Sequence, residues 1–148
     1  MQIAAFTVED RAAWERLARG YKAFYGTPVT DAEYDMAWKR LVARDGVFGL
    51  GAKVDGELVG IAHFLLHTSA WTQRVCYLQD LFTAPPARGR GVARALIEAV
   101  AAEARKQGAT RYYWNTQEHN AVARALYDRV ARYNGFIRYD FALQQPGA

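Results

Sequence analysis

Residues 77–108 read YLQDLFTAPPARGRGVARALIEAVAAEARKQG, and the order of textures within them decides the fold. The run YLQDLFT is apolar and β-prone, and the prolines at 85 and 86 stop it. Arg88-Gly89-Arg90-Gly91 then forms a basic glycine loop, and residues 91–107 follow with Ala93, Leu96, Ile97, Val100 and Ala104 along one helical face. Strand, loop and helix in this order gather consecutive backbone N–H groups at a helix N-terminus, where small residues let a ligand approach closely. Arg88, Arg90 and Arg94 bring positive charge to the same place. The loop suits an anion of phosphate size. It is neither GxGxxG nor GxxxxGK[ST], so it carries neither the dinucleotide nor the P-loop fingerprint.

Upstream, residues 2–7 predict an opening strand. A helix over 9–25 places Trp14, Leu17, Ala18, Tyr21 and Tyr25 at spacings of three and four, and Gly26-Thr27-Pro28 stops it. A second helix begins after Thr30, capped by that hydroxyl with Glu33 three residues on, and continues through Tyr34, Trp38, Leu41 and Val42 to Gly46. Asp55-Gly56 between VFGLGAKV and ELVGIAHFLLHTSA marks a hairpin. Further strands are predicted over 74–83, 110–116 and 136–143, a helix over 120–132, and a loose tail over 144–148. The expectation is one domain over 1–148 of α/β (α+β) class. Its sheet would be mixed, of about six to seven strands, with about four helices over it.

Composition narrows the function classes. No window has the apolar length of a membrane span and the N-terminus lacks a signal pattern, so a cytoplasmic protein without membrane association is expected. The single Cys76 sits among apolar residues and reads as a buried strand position, not a nucleophile. The net charge of +4 is unevenly spread: residues 88–132 hold nine Lys or Arg against four Asp or Glu, and the remainder is slightly acidic. So local a patch fits a small polyanion better than a nucleic-acid track. His63, His67 and His119 lack a metal-ligand pattern, so no metal is expected and strand hydrogen bonding is the predicted role of each.

Taken together, these segments resemble the GNAT superfamily of acetyl-CoA-dependent N-acetyltransferases over nearly the full chain. Arg88-x-x-Gly91-x-Ala93 fits its R/Q-x-x-G-x-G/A loop, the 54–60 hairpin its paired strands, and Asn120-x-x-Ala123-x-x-Leu126-Tyr127 with Gly135-Phe136 its closing helix and strand. YLQDLFT with YYWNTQEHNAVARALYD looks most like the branch acting on polyamines, related amines or histone-type lysines. The resemblance implies direct transfer of acetyl from acetyl-CoA to a primary amine, most simply a small cationic amine or polyamine. A protein or peptide lysine, an N-terminus, or a non-catalytic acetyl-CoA sensor are the other readings it allows. It implies a pyrophosphate held by Arg88, Gly89, Arg90, Gly91, Val92 and Ala93, and a pantetheine arm along Leu81, Phe82 and Thr83. Asn120 would contact that arm, a role that does not exclude its capping the helix, and Arg124 a phosphate, unless it is a solvated arginine. Tyr127 would be the general acid, and a homodimer is a possible assembly.

The base is less direct. Strict alternation would put Tyr77, Gln79 and Leu81 on one strand face and Leu78, Asp80 and Phe82 on the other, unless a bulge intervenes. Related polyamine enzymes tend to carry Glu where this chain has Gln79, which cannot take a proton. Asp80 is therefore the candidate base or ammonium anchor, with a water relay as the alternative. Tyr21, Tyr25 and Trp38 would line the amine pocket beside Gln79, with Asp31 and Asp35 attracting a cation.

Overall fold

The structure, a computed structural model, describes residues 1–144. These residues divide into two units, the first ending at Asn115 and the second beginning at Thr116. The first unit is a five-stranded sheet in the order β1-β2-β3-β4-β5, formed by Gln2–Ala5, Phe48–Val54, Glu57–His67, Val75–Thr83 and Arg111–Tyr113. The first four strands are antiparallel and β5 runs parallel to β4.

Helices α1 (Arg11–Phe24) and α2 (Asp31–Ala43) cover one face of the sheet. Trp14, Leu17, Ala18, Tyr34 and Leu41 bury there against Leu58 and Ile61, with Phe6 and Phe82 packed alongside. Thr30 caps α2 as its sequence predicts: its side chain accepts from the Glu33 amide while the Glu33 carboxylate accepts from the Thr30 amide. The other face takes α3 (Val92–Lys106), whose stripe of Val92, Leu96, Ile97, Val100 and Ala104 is buried. Gly60 sets how closely α3 can lie, because a β-carbon there would fall 2.6 Å from Val92 Cγ1 and 3.1 Å from Leu96 Cδ1.

The Asp55-Gly56 turn has φ of 52° and 83°, both left-handed, as a two-residue hairpin loop requires. In β4 the pairing skips a residue: His63 faces Asp80 while Phe64 faces Leu78, so Gln79 is the extra residue of a bulge. Simple alternation is corrected by this bulge. Tyr77, opposite Leu65, shares the α1 face with Asp80 and Phe82, whereas Leu78 is turned to the α3 face.

The second unit contains α4 (Ala121–Val130) as its regular element. The strand predicted over 136–143 is absent, and Phe136, Ile137, Tyr139, Phe141 and Leu143 are each at least 70% exposed. The apolar alternation there has the strand period, but a strand forms only against a paired neighbour, and none is present among the described residues. The sheet therefore has five strands where six to seven were expected, and the tail beyond Gln144 lies outside the described residues.

Candidate active site

Two features of the first unit meet along β4. The first is the loop leading into α3. Gly89 and Gly91 adopt φ of 74° and 79°, where a β-carbon is strained, and neither has an atom within 4 Å of the position a β-carbon would take. Gly91 is the N-cap of α3 and no side chain caps the helix, so the first amides of its leading turn face outward without an intrahelical partner. Arg88 donates from Nε to the Thr83 carbonyl at 3.2 Å and lies over the Phe82 ring, tying the loop to the strand end. Arg90 is exposed, and Arg94 is held by Glu98 at 2.8 Å.

The strand edge itself is open. β5 pairs with β4 only over Val75–Tyr77, so Leu78 to Thr83 have no strand neighbour on that edge among the described residues. The Thr83 hydroxyl is buried with no hydrogen-bond partner among the described residues. An unpaired edge running into an uncapped, glycine-lined helix start fits an elongated molecule with an amide-bearing arm and a phosphate head, as acetyl-CoA is. Leu81, Phe82, Thr83 and residues 88–93 are the groups positioned to hold it.

The second feature is the environment of Asp80. His63 Nδ1 lies 2.9 Å from Asp80 Oδ2, and the Trp14 indole donates to His63 Nε2 at 2.9 Å. Tyr21 from α1 stands beside the same carboxylate, and Tyr25 packs edge-on to Tyr21 at 5.0 Å between centroids. Burial pushes the Asp80 carboxyl up, but the hydrogen bond from His63, with Tyr21 and Lys22 close by, outweighs it and holds it below the usual carboxylate range. Burial and the neighbouring carboxylate raise Tyr21 far above the ordinary tyrosine value, so its hydroxyl stays protonated. The result is a carboxylate held as an anion beside two tyrosines.

The remaining predicted residues lie elsewhere or apart. Asp31 and Asp35 are exposed and held by Arg19 and Arg11 on the outer side of α1 and α2, and are not brought together with Asp80. Trp38 packs in the core against Phe6 and Trp14. Gln79 is exposed at the bulge. In the second unit Asn120 caps α4, accepting from the Ala123 amide, and Arg124 donates to the Glu118 carbonyl at 2.8 Å. Tyr127 is half-buried on α4. Cys76 is fully buried, which pushes its thiol up to about 11 and makes it a poor nucleophile. The described residues contain no cluster of three metal-ligating side chains.

His63 and Trp14 are the functional candidates that sequence reasoning missed. Trp14 reads as one member of an apolar helix stripe, and His63 as a strand histidine. Only the β3–β4 register, set by the bulge at Gln79, reveals that they join Asp80.

A glycine anion loop, an open strand edge and a half-buried carboxylate beside them define an acyl-CoA-dependent transferase. The sequence profile of the Acetyltransferase (GNAT) family matches residues 14–131, and the chain belongs to that family. It is an N-acetyltransferase that draws on acetyl-CoA. The D-amino-acid N-acetyltransferase HPA3 of Saccharomyces cerevisiae is 31% identical over 134 residues, 87% of this chain and 83% of that protein. The thialysine N-epsilon-acetyltransferase of Caenorhabditis elegans is 33% identical over 89 residues, 60% of this chain and 56% of that protein. A crystal structure of a probable acetyltransferase superposes with a TM-score of 0.85 at 26% identity, covering 99% of this chain and all of the other.

Proposed function

We propose that this enzyme acetylates the primary amine of a small cationic acceptor, polyamines included, by direct attack within a ternary complex. The observation that supports this most is the ionised Asp80 carboxylate beneath Tyr21, on the strand that runs into the anion loop. The named relatives acetylate amines, D-amino acids in one case and thialysine in the other, which agrees with an amine acceptor without selecting one.

Acetyl-CoA supplies an activated thioester when bound. The amides of 88–93 receive its pyrophosphate, and a backbone N–H near Leu81 or Phe82 polarises the acyl oxygen, a group of donors that needs no side chain. Asp80 receives the acceptor's ammonium and orients it. Because its carboxyl is held below the usual range, Asp80 is a weaker base than an unperturbed carboxylate and serves as an anchor, with the ammonium proton leaving to water. As the neutral amine nitrogen bonds to the acyl carbon and the C–S bond breaks, Tyr127 is the general acid that protonates the departing thiolate, and the amide nitrogen's surplus proton restores its phenol.

The test is an acceptor screen scored by CoA release, run with D80N alongside the wild type. The reading expects saturable turnover with small cationic amines and an acceptor KM raised about tenfold or more in D80N, the loss of a charge-assisted hydrogen bond. Peptide lysines outcompeting every small amine would move the acceptor class to proteins. Acetyl-CoA binding without turnover would leave only a sensor.

A further inference from the structure

His63 stands between Trp14 and Asp80, and the chemistry of its two neighbours fixes its proton. An indole nitrogen can only donate, so at 2.9 Å from Trp14 Nε1 the His63 Nε2 must be the acceptor. The ring's one proton then sits on Nδ1, pointed at Asp80 Oδ2 2.9 Å away. Both rings are enclosed, Trp14 being 1% and His63 8% exposed, so no water competes freely for these bonds.

The consequence is one of charge. A histidine beside a carboxylate commonly forms an ion pair, which would cancel Asp80 and leave nothing for a cation to meet. Here the Nε2 lone pair is already occupied by the indole proton, so His63 donates to Asp80 as a neutral group. Tyr21, protonated and so neutral as well, stands beside the same carboxylate. Lys22 is the nearby cation, and it lies over the Tyr21 ring at 5.5 Å and forms no ion pair with Asp80 among the described residues. The carboxylate is thus oriented by its neighbours yet keeps its negative charge.

We propose that Trp14 and His63 are positioning residues for acetyl transfer: Trp14 locks His63 as a neutral Nδ1–H donor, which holds Asp80 in place as an uncancelled anion for the acceptor's ammonium. This rests on the reading of Asp80 as the amine site. Neither residue touches substrate; each acts through Asp80.

The experiment pairs two substitutions at one position with a spectroscopic measurement. In H63N the side-chain amide sits where Nδ1 was and retains a donor to Asp80; in H63L that donor is lost. H63L raises the acceptor KM about tenfold while kcat and the acetyl-CoA KM stay within about threefold, and H63N restores most of the acceptor affinity. Nitrogen-15 NMR of the imidazole in the wild-type protein shows protonated Nδ1 and unprotonated Nε2, and W14F, which removes only the indole donor from the chain of bonds, loses that single pattern. Equal acceptor KM values for H63N and H63L, or a wild-type ring protonated at Nε2, would overturn the inference. D80N separates it from the reading beneath it. An unchanged acceptor KM in D80N defeats the amine-site assignment, whereas a raised KM in D80N with none in H63L defeats only the positioning role.

Discussion

Asp80 shows how a single residue can be visible in sequence while its working partners are not. Its placement one step after Gln79 makes it a candidate on residue type alone, but His63 lies 17 positions away and Trp14 on a different element. Their hydrogen bonds depend on side-chain geometry across β3, β4 and α1, which no periodicity reports. The carboxyl's lowered folded value has a sign that can be worked out. Being depressed relative to an ordinary aspartate, near 3.8, the group contributes stability that is fully present above that value and is lost as pH falls through the lower folded one. Asp10, buried beneath Lys53 at 2.6 Å, acts in the same direction: burial pushes it up, and the Lys53 and Thr7 hydrogen bonds bring it down further. Chemical denaturation at a series of pH values should therefore show stability falling below about pH 4, with a shallower slope in D80N. A rising stability over that window would contradict the assignment. Tyr127→Phe should lower kcat about a hundredfold with acetyl-CoA affinity nearly intact, measured by steady-state kinetics and calorimetric titration; unchanged turnover would remove it as the acid.

At the scale of elements, the helices and the first hairpin were legible because each carries a local signal: the Thr30–Glu33 capping box, the left-handed Asp55-Gly56 turn and the apolar stripe of α3. The β4 bulge was not, since an extra residue leaves the composition of YLQDLFT unchanged and appears only in the pairing with β3. It nonetheless decides the site, turning Tyr77 and Asp80 to the face that α1 covers. The loop before α3 depends on Gly91. A valine there meets no neighbouring atom but must adopt φ near 79°, a strain of roughly 1–2 kcal/mol, and its bulk covers the helix amides. G91V should abolish acetyl-CoA binding by calorimetry while the protein remains folded, and normal binding would sink the loop assignment. Gly60 makes the opposite kind of prediction. G60V drives side-chain atoms into Val92 and Leu96 and should destabilise the protein by about 1–3 kcal/mol in chemical denaturation.

Across the whole molecule, the class of fold was readable because alternating strand and helix signals leave few ways to build layers, and the charge asymmetry pointed to one small polyanion. What was not readable is where alternation stops meaning a strand. Residues 136–143 have the right period, yet pairing, which is non-local, decides whether they join a sheet, and in this structure they do not. We propose above all that this N-acetyltransferase holds a cationic amine on the Asp80 carboxylate. Steady-state acetyl transfer to a panel of small cationic amines, compared between wild type and D80N at saturating acetyl-CoA, tests it most directly. The expected result is saturable CoA release with the wild-type enzyme and an acceptor KM raised about tenfold or more in D80N. Turnover with such an amine at the same KM in both proteins would contradict it.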